Sequence, residues 1–276
     1  MTAGRYLGMR PGDLDGKPYA RYWQPEMGPM QEQVCRALLH GVEASELGFP
    51  ATEADQLLEP GTLPLENGFT RLANGQVFVA VQTRMPGVTS EMIDWWFGWH
   101  PMESQRYKLW HPRAHMLNRA ERMVGDDPTL SDREKYLHNP NYVTEYIGDD
   151  LIDITITFSD ASEFFDVSRF GAARVGTAIC GTVGFQKAPV TFGLLIHLIR
   201  ETPDGCEMRS RFWLGNIAFE RIPAAGLLSK LAGSRFVAQR VVPIEQGRDM
   251  VVHCATEMNH LASFLPALYA DYHPST

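Results

Sequence analysis

The chain has 276 residues, 44% apolar and 21% charged, the proportions of a globular protein with a sizeable core in one or two domains. Its net charge of −8, without a basic run, argues against nucleic acid as the main partner. No apolar run approaches the ~20 residues that cross a bilayer, and Met1–Tyr6 lacks the apolar segment of a secretory signal, so neither a membrane nor export is expected. Cys35, Cys180, Cys206 and Cys254 form no CxxC pair and read as reduced thiols of a cytoplasmic protein.

In chain order, residues 1–28 are rich in Gly, Pro and aromatics and read as an irregular arm that packs on another surface, such as a second subunit. Pro29–Leu47 predicts a helix with Val34, Leu38, Leu39 and Val42 on one stripe, and Thr52–Leu58 a shorter one stopped by Glu59-Pro60-Gly61. A connection at Leu63–Gly68 puts a boundary near residue 65, dividing an N-terminal arm and helical region (1–65) from a second domain (66–276). Gln76–Met85 is β-branched and aromatic and predicts a strand. Thr89 caps a helix that continues into Trp95, Trp96 and Trp99, and Pro112 opens another running to about Met123. Strands follow at Leu151–Ser159, Ala173–Phe185, Thr191–Arg200 and Glu207–Ile217, then a loop-rich stretch with basic residues and a helix beyond Gln246-Gly247. This order is an α+β plan in which a bent sheet grips a long C-terminal helix and leaves a cavity between them.

The C-terminal helix carries His253 and Glu257, four apart on one face, where both can reach one metal ion; His260 shares that side. Cys254 points about 100° away and reads as packing. On the helix predicted from Pro112, His115 and Asn118 also share a face, with His111 extended before the proline. Glu145 is the lone carboxylate of a mostly apolar, aromatic run, so it faces water or has a charged partner, and a metal is one such partner. Asp149, Asp150 and Asp153 fall in a turn that faces water. His197, in an apolar strand, is either a core histidine satisfied by a backbone carbonyl or a cavity histidine that binds substrate or moves a proton. Trp95, Trp96, Trp99 and Trp110 read as core, or as the lining of a pocket for an aromatic ring.

Tyr107, His115, Asn118, Glu145, His197 and the His253-x-x-x-Glu257 pair together resemble the 2,4-diacetylphloroglucinol hydrolase family, over most of the chain. The resemblance implies a helix-grip (Bet v 1-like) catalytic domain and an N-terminal helical region making the contacts of a homodimer. It implies Zn2+ held by His115, Glu145, His253 and Glu257. Tyr107 and Asn118 would contact phenolic oxygens, and His197 would be a catalytic residue in the cavity. Phe212 stands where a second substrate-contacting tyrosine is expected, which loses one phenol contact and makes a phloretin-type acyl phenol a candidate substrate.

The implied reaction splits the carbon–carbon bond between an acyl group and a phenolic ring, whose keto tautomer lets the ring carbon leave. A metal would polarise the acyl oxygen and acidify water, and either His197 or a glutamate would return a proton to the ring. Two rivals stand beside it. A non-catalytic carrier with the same fold would bind ligand without metal or product. A metal-dependent ester hydrolase or decarboxylase would release different products.

Overall fold

The computed structural model describes residues 8–219 and 235–273. Residues 1–7 of the arm and 220–234 of the basic stretch lie outside the described residues. Among the described residues, eight antiparallel strands form a single sheet in the order β1-β2-β8-β7-β6-β5-β4-β3. They are β1 (Gly68–Arg71), β2 (Val77–Pro86), β3 (His115–Ala120), β4 (Asn141–Ile147), β5 (Asp150–Ser159), β6 (Val175–Phe185), β7 (Val190–Thr202) and β8 (Gly205–Phe219). Pairing is interrupted by register shifts in β3/β4, β6/β7 and β7/β8, and such bulges bend a sheet. The four helices considered before the last are α1 (Glu32–His40), α2 (Ser90–Trp99), α3 (Ser104–Trp110) and α4 (Asp132–Tyr136).

The C-terminal helix, Glu245–Tyr272, lies in the grip of this sheet and presents two adjacent stripes. Val251, Cys254, Met258, Leu261, Leu265 and Leu268 are fully buried against the apolar core, at the three- and four-residue spacing that keeps side chains on one face. His253, Glu257, His260 and Phe264, also buried, form the neighbouring stripe. The first turn approaches the sheet so closely that a Cβ on Gly247 would sit 2.8 Å from Val77 and 3.0 Å from Phe69. Glycine there lets the helix seat on β1 and β2. This is the helix-grip architecture expected from the order of elements.

The opposite face of the sheet is covered as well. Phe49, Leu57, Leu58 and Leu65 pack with Phe78, Ile196, Leu198 and Trp213 in a second core. Three buried arginines tie this cover down. Arg211 and Arg209 pair with Glu66 at 2.6 and 3.4 Å, and Arg200 donates to the carbonyls of Leu57 and Glu59. The arm packs on its own chain: Tyr22 donates to the Ala267 carbonyl at 3.0 Å, and Lys17 and Tyr19 reach Glu103.

Several elements differ from the sequence expectations. The helix expected over Pro29–Leu47 is shorter, because Gly41, at φ +93°, ends it after His40. Thr52–Leu58 is a 3-10 segment, Ala51–Leu58. The helix expected from Pro112 to Met123 is overturned: Pro112–Ala114 form a turn and His115–Ala120 are the edge strand β3. The ladder with β4 decides this, since it satisfies the backbone of a segment whose own helix signal was one proline. The Thr89 cap is present, accepting from the Met92 amide at 3.4 Å.

Candidate metal centre and cavity

The geometry of the cluster begins with the bulge in β3. His115 pairs with Glu145, Leu117 with Thr144 and Asn118 with Val143, so three residues of β3 span two of β4. Without the bulge, side chains three apart on a strand would point to opposite faces. With it, both His115 and Asn118 are buried while Leu117 is exposed. Along β4 the alternation is regular: Asn141, Val143, Glu145 and Ile147 point inward, with Tyr142, Thr144 and Tyr146 on the other face. His253 and Glu257 arrive from the helix.

These side chains converge. Nε2 of His115 lies 3.3 Å from Glu257 Oε2 and 3.5 Å from Glu145 Oε2. Nε2 of His253 lies 3.6 Å from Glu257 and 3.8 Å from Glu145. One ligand atom each from His115, His253 and Glu257 fall within 4.8 Å of one another. All four residues are at most 7% exposed. Two outer contacts fix the rings: His115 Nδ1 donates to the Tyr107 carbonyl at 3.0 Å, and His253 bonds the backbone of Tyr146. Tyr107 stacks on His115 with centroids 3.7 Å apart, and its hydroxyl donates to Glu145.

With its proton on Nδ1, His115 presents a lone pair on Nε2 to two carboxylates, and this buried nitrogen has no hydrogen-bond partner. Burial pushes Glu145 up to about 7 and Glu257 well above the carboxylate range, the latter also through repulsion from Glu145. Burial likewise holds His253 down to about 4 and His115 well below its ordinary value. Imidazole nitrogens and carboxyl oxygens buried this close need a cation between them, a proton or a metal ion. The residues present therefore fit a divalent metal, with nitrogen and oxygen donors suited to a first-row ion.

A largely apolar cavity adjoins this cluster. Tyr107, Asn118, His197 and Phe212 all line it, as do Trp110 and the inward isoleucines of β5. His197 is neither of the simple alternatives alone. It is buried and held neutral, yet its Nδ1 lies 2.8 Å from the Ser210 hydroxyl rather than on a backbone carbonyl, and its ring lines the cavity. The Phe212 and His197 rings meet in a T-shaped arrangement with centroids 5.7 Å apart. Of the tryptophans, Trp110 borders the cavity while Trp95, Trp96 and Trp99 pack in the core. Cys254 is buried packing, and Asp149, Asp150 and Asp153 face water. His111 ends α3, accepts the His115 amide on its carbonyl, and places Nε2 3.2 Å from Thr256 Oγ1. His260 is buried beside Phe264 on the same side of the helix.

Sequence reasoning missed His100, Asn141 and Ser210. Asn141 was readable from the period-two pattern of Asn141, Val143, Glu145 and Ile147. His100, following a tryptophan-rich helix, and Ser210, inside an apolar strand, carry no comparable local signal.

A family model described as "DAPG hydrolase PhiG domain" matches residues 49–270. The chain belongs to this 2,4-diacetylphloroglucinol hydrolase family. It is 33% identical over 263 residues to the 2,4-diacetylphloroglucinol hydrolase of Pseudomonas protegens, covering 93% of this chain and 85% of that one. It is 30% identical to the phloretin hydrolase of Eubacterium ramulus, over 92% and 89% of the two chains. Among solved structures, Ara h 8.0201 aligns with 69% of this chain and 99% of its own at 8% identity and a TM-score of 0.38. Norcoclaurine synthase from Thalictrum flavum aligns with 73% of this chain and 91% of its own at 10% identity and a TM-score of 0.33. Among the described residues no helix is long and apolar enough to cross a membrane.

Proposed function

We propose that this chain is a zinc-dependent hydrolase that cleaves the carbon–carbon bond between an acyl group and a phenolic ring, releasing a carboxylic acid and the deacylated polyphenol. Family membership supports the reaction class. The observation that carries the metal is the pair of neutral imidazoles turned towards two buried carboxylates. His115, Glu145, His253 and Glu257 would hold the ion. When bound, it supplies Lewis acidity to the acyl oxygen and lowers the pKa of water in the site.

The protein's own residues do the rest. In the balanced reaction water gives hydroxide to the acyl carbon, the acyl–ring bond breaks, and the ring carbon takes a proton. Tyr107 and Asn118 orient the phenolic oxygens. The Tyr107 hydroxyl, donating to Glu145, also ties that orientation to the carboxylate. His197 stands over the cavity as a neutral imidazole held by Ser210 and is the residue that would pass the proton to the ring carbon. The isoleucines of β5 and Phe212 exclude water around the ring. With phenylalanine at 212 the ring loses one polar contact, which makes a phloretin-type acyl phenol a candidate substrate beside the diacetylphloroglucinol type.

We further propose that the enzyme is cytoplasmic, in keeping with its free thiols, and a homodimer, for which exposed Leu39 and Val42 on and beside α1 offer apolar surface. Residues 1–65 would serve those contacts and 66–276 the catalysis. The test is metal analysis of the purified protein with turnover of an acylphloroglucinol, alongside His253→Ala and Glu257→Ala. Bound zinc and turnover are expected in the parent only. Full activity in a metal-free His253→Ala protein contradicts the proposal.

A further inference from the structure

Two carboxamides line the cavity on one face of the β3/β4 ladder, Asn118 and Asn141. Asn118 pairs with Val143 across the strands and Asn141 lies two residues further along, so they are diagonal neighbours, about 7–8 Å apart. Each has its NH2 group tied down. Asn141 Nδ2 donates to the Asn139 carbonyl at 2.9 Å. Asn118 Nδ2 lies 3.2 Å from His100 Nε2. That contact has only one polarity. His100 Nδ1 is 2.7 Å from the Trp96 carbonyl, which can only accept, so the proton of this neutral, buried ring sits on Nδ1 and Nε2 is a lone pair. The amide must offer it N–H. In both residues the carbonyl oxygen, Oδ1, is thereby left over, buried and without a partner.

A buried acceptor without a donor carries a desolvation penalty that an incoming donor removes. We propose that Asn141 is a further substrate-binding residue, forming with Asn118 a pair of carbonyl acceptors that selects rings carrying at least two un-ionised hydroxyl groups. His100 and the Asn139 backbone are positioning groups that fix which end of each amide faces the ligand. The inference rests on the polyphenol reading above and deepens it. An ionised phenolate would meet an oxygen lone pair there, so the bound ring keeps its O–H groups at these two positions.

The experiment measures calorimetric binding of 1,3,5-trihydroxybenzene, 1,3-dihydroxybenzene and phenol to the metal-loaded protein and to Asn141→Leu. In the parent, phenol must leave one carboxamide unpaired and binds roughly ten-fold more weakly than the dihydroxy ring. In Asn141→Leu the gap between those two rings closes to less than about three-fold. Asn141→Ser, which shortens the side chain without making it apolar, repeats the comparison if the leucine protein melts early. Equal affinity of the parent for phenol and the dihydroxy ring overturns the proposal, as does a variant that keeps the ten-fold gap. Binding needs no cleavage, so the two readings fail separately. Discrimination by hydroxyl count without turnover of any acyl phenol would reject the hydrolase reading alone. Turnover with indifference to hydroxyl count would reject this one alone.

Discussion

His115 commits its proton to the Tyr107 carbonyl, and everything its other nitrogen meets follows from that. The metal-free protein is then left with buried groups in their uncharged forms, and the signs of their shifts oppose. His253 is held down to about 4 from 6.5, so the unfolded chain binds the extra proton in that window and stability rises with pH until about 6.5. Glu145 is pushed up from 4.5 to about 7, so the folded chain holds the extra proton between those values, and its contribution is lost as pH rises from 4.5 through 7. Glu257, raised further, continues that loss. Below about pH 6.5 the two opposing contributions offset and above it only the carboxyl loss remains, so the melting temperature of chelator-stripped protein should fall between pH 6.5 and 8.5, a fall that zinc abolishes. A stripped protein whose melting temperature climbs steadily from pH 6.5 to 8.5 contradicts this assignment of charges. Tyr107→Phe leaves the stack on His115 but removes the hydroxyl bonded to Glu145. Loss of such an outer contact should lower kcat/KM roughly 10- to 100-fold with the fold intact, as steady-state kinetics and circular dichroism will report.

At the scale of elements, the sheet and the gripped helix were legible in β-branched runs and helical spacing, and β5 to β8 begin and end within a few residues of expectation. The strand carrying His115 and Asn118 was not. Local signals around Pro112 favour a helix, and only the partner strand β4, distant in sequence, selects the extended form. The pair was still found together, because three residues apart share a face both on a helix and across a bulge. A bulge is set by pairing and leaves no local mark. The buried arginines of β8 were equally invisible, since nothing in the Arg209-Ser210-Arg211 alternation reveals that Glu66 crosses the sheet's outer face to meet them. Glu66→Ala leaves Arg209 and Arg211, both under 3% exposed, without their shared carboxylate. Equilibrium denaturation should show a loss of ~3–5 kcal/mol, and a change under ~1 kcal/mol would show the pairing to be dispensable.

At the scale of the molecule, the apolar cover contributed by Phe49, Leu57, Leu58 and Leu65 means that the sheet has two cores, one on each face. Removing residues 1–65 exposes Phe78 and Trp213, both fully buried, and the truncated chain is expected to aggregate or lose its cooperative melt. In the intact protein, sedimentation should give about 62 kDa, twice the 31.0 kDa chain, if the proposed homodimer forms. The proposed hydrolysis of an acyl–ring bond at a metal held by two histidines and two glutamates is tested by one labelling measurement. Metal-loaded protein is given an acylphloroglucinol in 18O-water, with and without a chelator, and both products are weighed by mass spectrometry. One labelled carboxylic acid per deacylated ring, abolished by the chelator and restored by zinc, is the predicted result. Unlabelled acid, an intact acyl–ring bond, or turnover indifferent to the chelator contradicts it.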